Sequence, residues 1–439
     1  MTTWRKWLAV VPLAALVLTA CNGEDGTEEP ATEVPEVEEA EDPAEDEGPE
    51  DDAAEGEEAE DEPVVRADAD LVIWADDTRT PALQNFANEF GAENEVEVAL
   101  QEVSFDDIRE RLITAGPAGE GPDIIIGAHD WLGELVENGV VAPVDLSPLE
   151  GDLVEVAVQA FTFDGQTYGL PYATENVALF RNTDLVPDAP GTWEEVEQTA
   201  LGLQDAGDVR QGIVWPTEPA DPYHNYPIVT AYGGYVFGMQ DDGTYDPSDL
   251  GIDSPGAIDA ANKFSEMIEA GVISADVTYQ LMIDLFGGGD AAFAITGPWA
   301  LGDFGDINFE VSPIPSVDGG TPAPFVGVQG FMVSAFAEND LLAQTFLLDY
   351  MATTDAQVAL YEAGNRPPAL ISAFEEVADD PNIEAFGEAG IDGVPMPAIA
   401  EMGSVWEAWT NAYELIYEGE MEPDAAFQDA ADQIRALID

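Results

Sequence analysis

The chain has 439 residues, of which 91 are Asp or Glu and 11 are Lys or Arg, a formal net charge of −80. So acidic a protein is excluded from ordinary nucleic-acid binding, which needs Lys and Arg against phosphate. Its single cysteine excludes an internal disulfide, so the body must be held by its core alone.

Residues 1–20, "MTTWRKWLAVVPLAALVLTA", set Arg5 and Lys6 before an apolar run from Leu8 to Leu18 and end in small residues, the layout of a secretory signal. The run is short for a membrane span. It closes on "LTAC", and Leu, a small residue, Ala and then Cys21 resemble the bacterial lipoprotein box, which implies a lipidated Cys21 at the new N-terminus. The plainer alternative is an incidental cysteine in an ordinary signal peptide. Two or more acyl chains, at about 0.8 kcal/mol per buried methylene, anchor stably. The mature protein is therefore expected on the outer face of the cytoplasmic membrane, attached without spanning it.

Between Glu24 and Glu62, Asp and Glu fill 22 positions, interrupted by Pro and Gly. Such a segment cannot bury enough apolar surface to offset its ordering entropy, so residues 21–67 are expected to form a disordered, self-repelling tether. Fully extended it reaches roughly 150 Å, at about 3.3 Å per residue. Beyond it, 69 acidic residues face eight basic ones. That excess fits either a receptor for cationic ligands or a surface adapted to high salt, where screening suppresses self-repulsion. The acids spread over the whole body and lysine is nearly absent, which favours salt adaptation.

The body, about 370 residues from Asp68, exceeds one ordinary core and is expected to form two α/β lobes. "DLVIWAD" reads as a buried strand from Leu71 to Trp74, with Trp74 in the core. "TPALQNFANEFGAEN" reads as a helix, with apolar Leu83, Phe86, Ala87 and Phe90, that stops at Gly91. "EVEVAL" and "FDDIRERLITAG" repeat the pair. "GPDIIIGA" is a third strand, and "WLGELVENGVV" a helix ending at Gly139. This alternation predicts a largely parallel sheet, in which ligands bind at the carboxyl ends of strands. His129, Asp130 and Trp131 sit on that edge.

In "GTWEEVEQTALGL", Thr192 and Glu195 have capping-box spacing and open a helix of the second lobe. "GIDSPGAIDAANKFSEMIEAGVI" is a long amphipathic helix. The glycines at 287–289 lack the Gly-Lys-Ser/Thr ending of a phosphate loop and read as a tight turn. "DDGTYDPSD", 241–249, has calcium-loop carboxylate density with the wrong spacing and no closing Glu, so it reads as a hairpin turn. His129 and His224, the two histidines, make a poor metal set without cysteine and are expected to be structural. No metal and no cofactor is expected.

"LVIW", "GPDIIIGAHD", "TWEEV", "YGGYVF", "AAFAITGPWA" and "PFVGV" stand in the order and spacing of the maltose/maltodextrin-binding proteins of ABC importers. From about Leu71 to Ile438 the chain resembles that family. The resemblance implies an α/β, type II periplasmic-binding-protein-like fold of two lobes joined by a hinge, 68–175 with 330–378 and 176–329 with 379–439, closing on sugar. Carried over residue by residue, it implies ligand-binding roles for the region of Asp76, Asp77 and Arg79, for Asp130, and for Glu175 in "YATENVALF". Asp221 and Tyr223 in "DPYHNYP" match a family Glu-Pro-Tyr, with Glu218 a competing acid, and Trp299 and Trp406 match stacking tryptophans. The family pattern has Trp where this chain has Gly127, Arg where it has Trp131 and Arg where it has Thr410. An aromatic is thus lost at one place and gained four residues on, and Trp131 joins the expected site. The implied partners are a maltooligosaccharide and the permease subunits of an ABC transporter, for a monomeric receptor without catalytic residues.

The side-chain chemistry suits sugar independently. Carboxylates accept hydroxyl protons in charge-assisted hydrogen bonds, and indoles cover the apolar face of a sugar ring. For a single Trp, core packing is the competing account. "GPWA" after a strand, and Trp406 with Trp409 about one helical turn apart, count against it. A glycoside hydrolase uses the same residue types, but nothing in the chain singles out an acid and nucleophile pair.

Overall fold

In a computed structural model, which describes residues 65–240 and 244–438, two main sheets organise the body. The signal, Cys21 and nearly all of the expected tether lie outside the described residues. Among those described, no helix is long and apolar enough to cross a membrane.

The larger sheet has seven strands. Leu71–Ala75 lies next to the edge, between Val98–Glu102 and Ile124–Ala128 and parallel to both. Leu71–Ala75 is buried at every position, which is why it reads as an unbroken apolar run. The sheet expected to be largely parallel is mixed, because the ten-residue strand Phe325–Ser334 runs antiparallel to Ile124–Ala128 and to Gly169–Glu175. A four-stranded sheet follows the order Phe309–Ser312, Ala178–Asn182, Ala291–Thr296, Gln211–Val214. Only Asn176 and Val177 separate the strand ending at Glu175 in the first sheet from the strand opening at Ala178 in the second. The chain returns to the first sheet between Ser312 and Phe325.

The C-terminal helices Trp406–Tyr417 and Pro423–Ile438 close over the helix Pro255–Glu269, with Tyr413 edge-on to Phe264 at 5.2 Å and to Phe427 at 5.2 Å. Helix Pro381–Ala389 sets Phe386 5.9 Å from Phe180 of the four-stranded sheet. The architecture is mixed α/β with several sheets, consistent with a two-lobed periplasmic-binding-protein fold.

Three boundaries differ from expectation. The first helix, Arg79–Asn94, runs through Gly91 and ends on a left-handed Glu95 (φ 58°). Gly91 instead lets the chain fold back, since a Cβ there would lie 2.9 Å from the Val96 carbonyl oxygen. The second helix continues past Gly116 to Ala118. Arg66, assigned to the tether, belongs to the body: it donates to Gly121 O at 2.7 Å and to buried Asp123 at 2.8 Å. Asp123 also accepts from the N–H groups of Val72 and Glu338, so a fully buried carboxylate gains its counter-charge from that arginine.

The glycines at 287–289 end the helix Tyr279–Gly287, with Gly289 at φ 77°, as a turn. Phe237–Met239 pairs antiparallel with Tyr245–Leu250, so most of the 241–249 segment, expected as a hairpin turn, is the second strand of the hairpin, and its residues 241–243 lie outside the described residues.

Candidate functional site

A cavity of about 980 Å³ is lined from both sheets, at the upper end of the range for small-molecule sites. All ten residues expected to bind ligand line it.

At the carboxyl end of Leu71–Ala75 the chain turns directly into a helix. Asp76 accepts from Arg79 N at 2.9 Å and pairs with its guanidinium. Arg79 Nε donates to Tyr172 Oη at 2.6 Å, and the guanidinium stands 5.2 Å from the ring centre of Phe105. Asp76 and Arg79 thus satisfy one another, while Asp77 is exposed. What Arg79 still offers is Nη2, buried and without a hydrogen-bond partner among the described residues.

The end of Ile124–Ala128 separates three roles. His129 does not line the cavity. Its Nδ1 accepts from Val328 N at 3.1 Å, so Nε2 carries the proton and donates to Met396 O at 3.1 Å. Burial pushes this imidazole down to about 4. Asp130, almost fully buried, accepts from Trp406 Nε1 at 3.1 Å. Burial pushes its carboxyl up to about 6, against the opposing pull of Arg109 and the Trp406 indole. Trp131 packs on Phe105 with centroids 4.8 Å apart and lies over Gly127.

Where the chain crosses between sheets, Glu175 pairs with Arg366 and accepts from Gln329 Nε2 at 2.8 Å. A carboxylate cannot donate, so this bond fixes the amide orientation and leaves Gln329 Oε1, buried, with no donor among the described residues. Asp221 caps the helix Pro222–Ala231, accepting from Tyr223 N at 2.8 Å, and its other oxygen is 2.5 Å from His224 Nδ1. Burial works to raise this carboxyl, but His224 and the cap hold it below the usual range. Glu218, the competing acid, is exposed on the cavity wall and in no ion pair among the described residues.

Tyr223 lies over Phe325 at 5.9 Å and meets Trp299 at 6.1 Å. Burial, with Glu175 and Asp221 nearby, holds its phenol well above the usual range. Its hydroxyl, like Arg79 Nη2 and Gln329 Oε1, is a buried polar atom of the cavity wall without a partner among the described residues, whereas Arg109 Nε, also without a hydrogen bond, faces Glu134 at 3.5 Å. Trp299 and Trp406 are each half-buried, whereas Trp409, one turn on, is wholly core, as is Trp74.

Sequence reasoning missed Arg366, Gln329 and Arg109 as wall residues. The scarcity of basic residues in so acidic a body was the available signal for the two arginines. Among the described residues no group of three or more His, Cys, Asp or Glu is placed to hold a metal ion.

The family model for bacterial extracellular solute-binding proteins matches residues 85–385. The chain belongs to that family. Among its relatives, a galactooligosaccharide-binding protein of Bacillus subtilis (strain 168) is 29% identical, over 84% of this chain and 90% of its own length. A maltotriose-binding protein of Pyrococcus abyssi is 30% identical, over 81% of this chain and 79% of its own. A maltooligosaccharide ABC transporter solute-binding lipoprotein of Streptococcus pneumoniae serotype 4 is 26% identical, over 84% and 89%. This solute-binding protein therefore has a ligand to hold and no reaction to catalyse, and its cavity is lined from both sheets.

Proposed function

We propose that this solute-binding protein is the receptor of an ABC importer, anchored through lipidated Cys21 on the outer face of the cytoplasmic membrane, and that it captures maltooligosaccharides by hinge closure. The observation that carries the sugar reading is three buried cavity-wall atoms that meet neither a hydrogen-bond nor an ion-pair partner among the described residues: a donor on Arg79, an acceptor on Gln329 and a hydroxyl on Tyr223. Unmet buried polar groups cost roughly 1–3 kcal/mol each. A polyhydroxylated ligand satisfies all three at once, since each hydroxyl donates and accepts.

In this reading Trp299 and Trp406 cover ring faces, Asp130 accepts a hydroxyl proton, and Asp77 and Glu218 meet hydroxyls at the open side. Asp76 acts mainly by orienting Arg79, Glu175 presents its carboxylate to the ligand while paired with Arg366, and Trp131 forms apolar wall. Relatives named for galacto- and maltooligosaccharides, one of them an ABC transporter lipoprotein, support an oligosaccharide and a permease partner. The lobes are those expected, with the return to the first lobe moved from 330 to Phe325, where the strand Phe325–Ser334 of the first sheet opens; sugar bridging them selects the closed form, which docks on the permease.

Calorimetric titration with glucose, maltose, maltotriose, maltotetraose, a galactooligosaccharide and spermidine tests the reading. Maltotriose or maltotetraose is expected to bind and remain intact. Binding of spermidine alone sinks it. Cys21→Ser is expected to release the protein into the medium; retention in salt-washed membranes refutes the anchor.

A further inference from the structure

Arg366 follows the helix Thr354–Gly364, just after its left-handed cap Asn365 (φ 54°). The next two residues are zipped onto the strand Gly169–Glu175: Thr174 N donates to Pro367 O at 2.9 Å, and Ala173 bridges Pro368. With its backbone held against that strand, Arg366 extends a mostly buried side chain into the cavity wall. Its Nε pairs with Glu175, whose other oxygen is held by Gln329. Its guanidinium carbon stands 5.3 Å from the ring centre of Trp299, within cation–π range.

Glu175 and Gln329 belong to strands of the seven-stranded sheet, whereas Trp299 follows Ala291–Thr296 of the four-stranded one. The ring neighbours of Trp299 are Tyr223 at 6.1 Å and, edge-on, His224 at 6.0 Å, both from the helix Pro222–Ala231. Arg366 is its charged contact from the other sheet. A guanidinium suits the task because it offers directed donors in its plane and a face to an aromatic ring, which a lysine ammonium does not.

We propose that Arg366 is a positioning residue of the ligand site: it holds the Glu175 carboxylate and the Trp299 indole in register across the cavity, so that a ligand ring meets both in one geometry. The inference rests on the sugar reading of the cavity and adds to it the residue that sets the platform.

Removing Arg366 alone strands a buried Glu175 without its counter-charge and endangers the fold. Two variants avoid this: Arg366→Lys, which keeps the charge, and Arg366→Met combined with Glu175→Gln, which removes both charges. In the ligand-free protein, the Trp299 contribution to emission is taken as the difference between each protein and its Trp299→Phe counterpart. Each protein is then titrated with maltotriose and a galactooligosaccharide. Both variants are expected to shift the Trp299 emission and to weaken binding about tenfold, roughly 1.4 kcal/mol, while the double variant melts close to wild type. Unchanged Trp299 emission in both variants, or dissociation constants within twofold of wild type, overturns the proposal. If the wild type binds neither sugar, the sugar reading falls, and the ligand-free emission then decides Arg366 alone: a shift upholds its positioning of Trp299, and no shift refutes it.

Discussion

Gly127 and Trp131 share one side-chain volume. A Cβ on Gly127 would lie 3.0 Å from Cη2 of Trp131 and closer still to Cζ3 and Cε3. Any side chain at 127 would therefore enter the space that the Trp131 indole occupies. Gly127→Val should drive the ring off Phe105, an overpacking cost of about 1–3 kcal/mol. The expected result is a lower melting temperature, largely restored by adding Trp131→Ala. No change on the single substitution contradicts this packing.

The two half-buried indoles should dominate affinity. Trp299→Ala and Trp406→Ala each remove an apolar platform from a desolvated wall, and a binding hot spot costs about 2 kcal/mol, roughly thirtyfold in Kd. Ligand-free melting should fall by only a few degrees. Titration of maltotriose followed beside thermal melts checks both; a severe loss of stability with intact affinity would assign these residues to the core.

Asp130 should make binding depend on pH. Arg109, Glu175 and the Trp406 indole act on its carboxyl, and burial sets it near 6. As pH rises from 5 to 7 the ionised form becomes a charge-assisted acceptor and affinity should increase. Stability runs the other way. A raised carboxyl is penalised when ionised, so its contribution is fullest below the ordinary aspartate value and is lost as pH rises through about 6. Asp130→Asn should flatten the affinity profile and cost about 1–2 kcal/mol of binding at neutral pH. A variant retaining the slope would place the titration elsewhere.

His129 should limit stability in acid. Its imidazole is lowered to about 4 from an ordinary value near 6.5. The stability tied to the neutral ring is therefore complete above about 6.5 and is lost as pH falls towards 4, about 3 kcal/mol in all. Melts from pH 7.5 to 4.5 should show His129→Gln less stable at the upper end but with a shallower decline. Parallel curves would mean that the imidazole is not what titrates.

If the acidic body is a salt adaptation, its melting temperature should rise with KCl to molar concentrations as self-repulsion is screened. A flat or falling curve removes that account of the charge.

Much of the fold was legible because burial leaves a local mark. Leu71–Ala75 and Ile124–Ala128 are buried throughout and read as apolar runs, and strand ends in an α/β sheet point to the ligand side, which put His129, Asp130 and Trp131 on one edge, although only Asp130 and Trp131 line the cavity. The capping spacing of Thr192 and Glu195 likewise appears as a bond of 3.3 Å. The antiparallel strand through the first sheet was less legible, since strand direction depends on the path of the chain rather than on local composition.

The sequence by itself determined the α/β architecture, the strand-end positions and the residue types available for a sugar, because periodicity and burial are written in neighbours a few positions apart. Only the tertiary structure decided which side chains are free. Arg366 finds Glu175 across 191 positions, His129 finds Met396 across 267, and Trp406 finds Asp130 across 276. Those pairings commit Glu175 to an ion pair, His129 to the scaffold and Asp130 to an indole. The physical reason is that an ion pair or a buried hydrogen bond forms between groups that the pairing of distant strands brings within about 3 Å, a distance that no local pattern encodes.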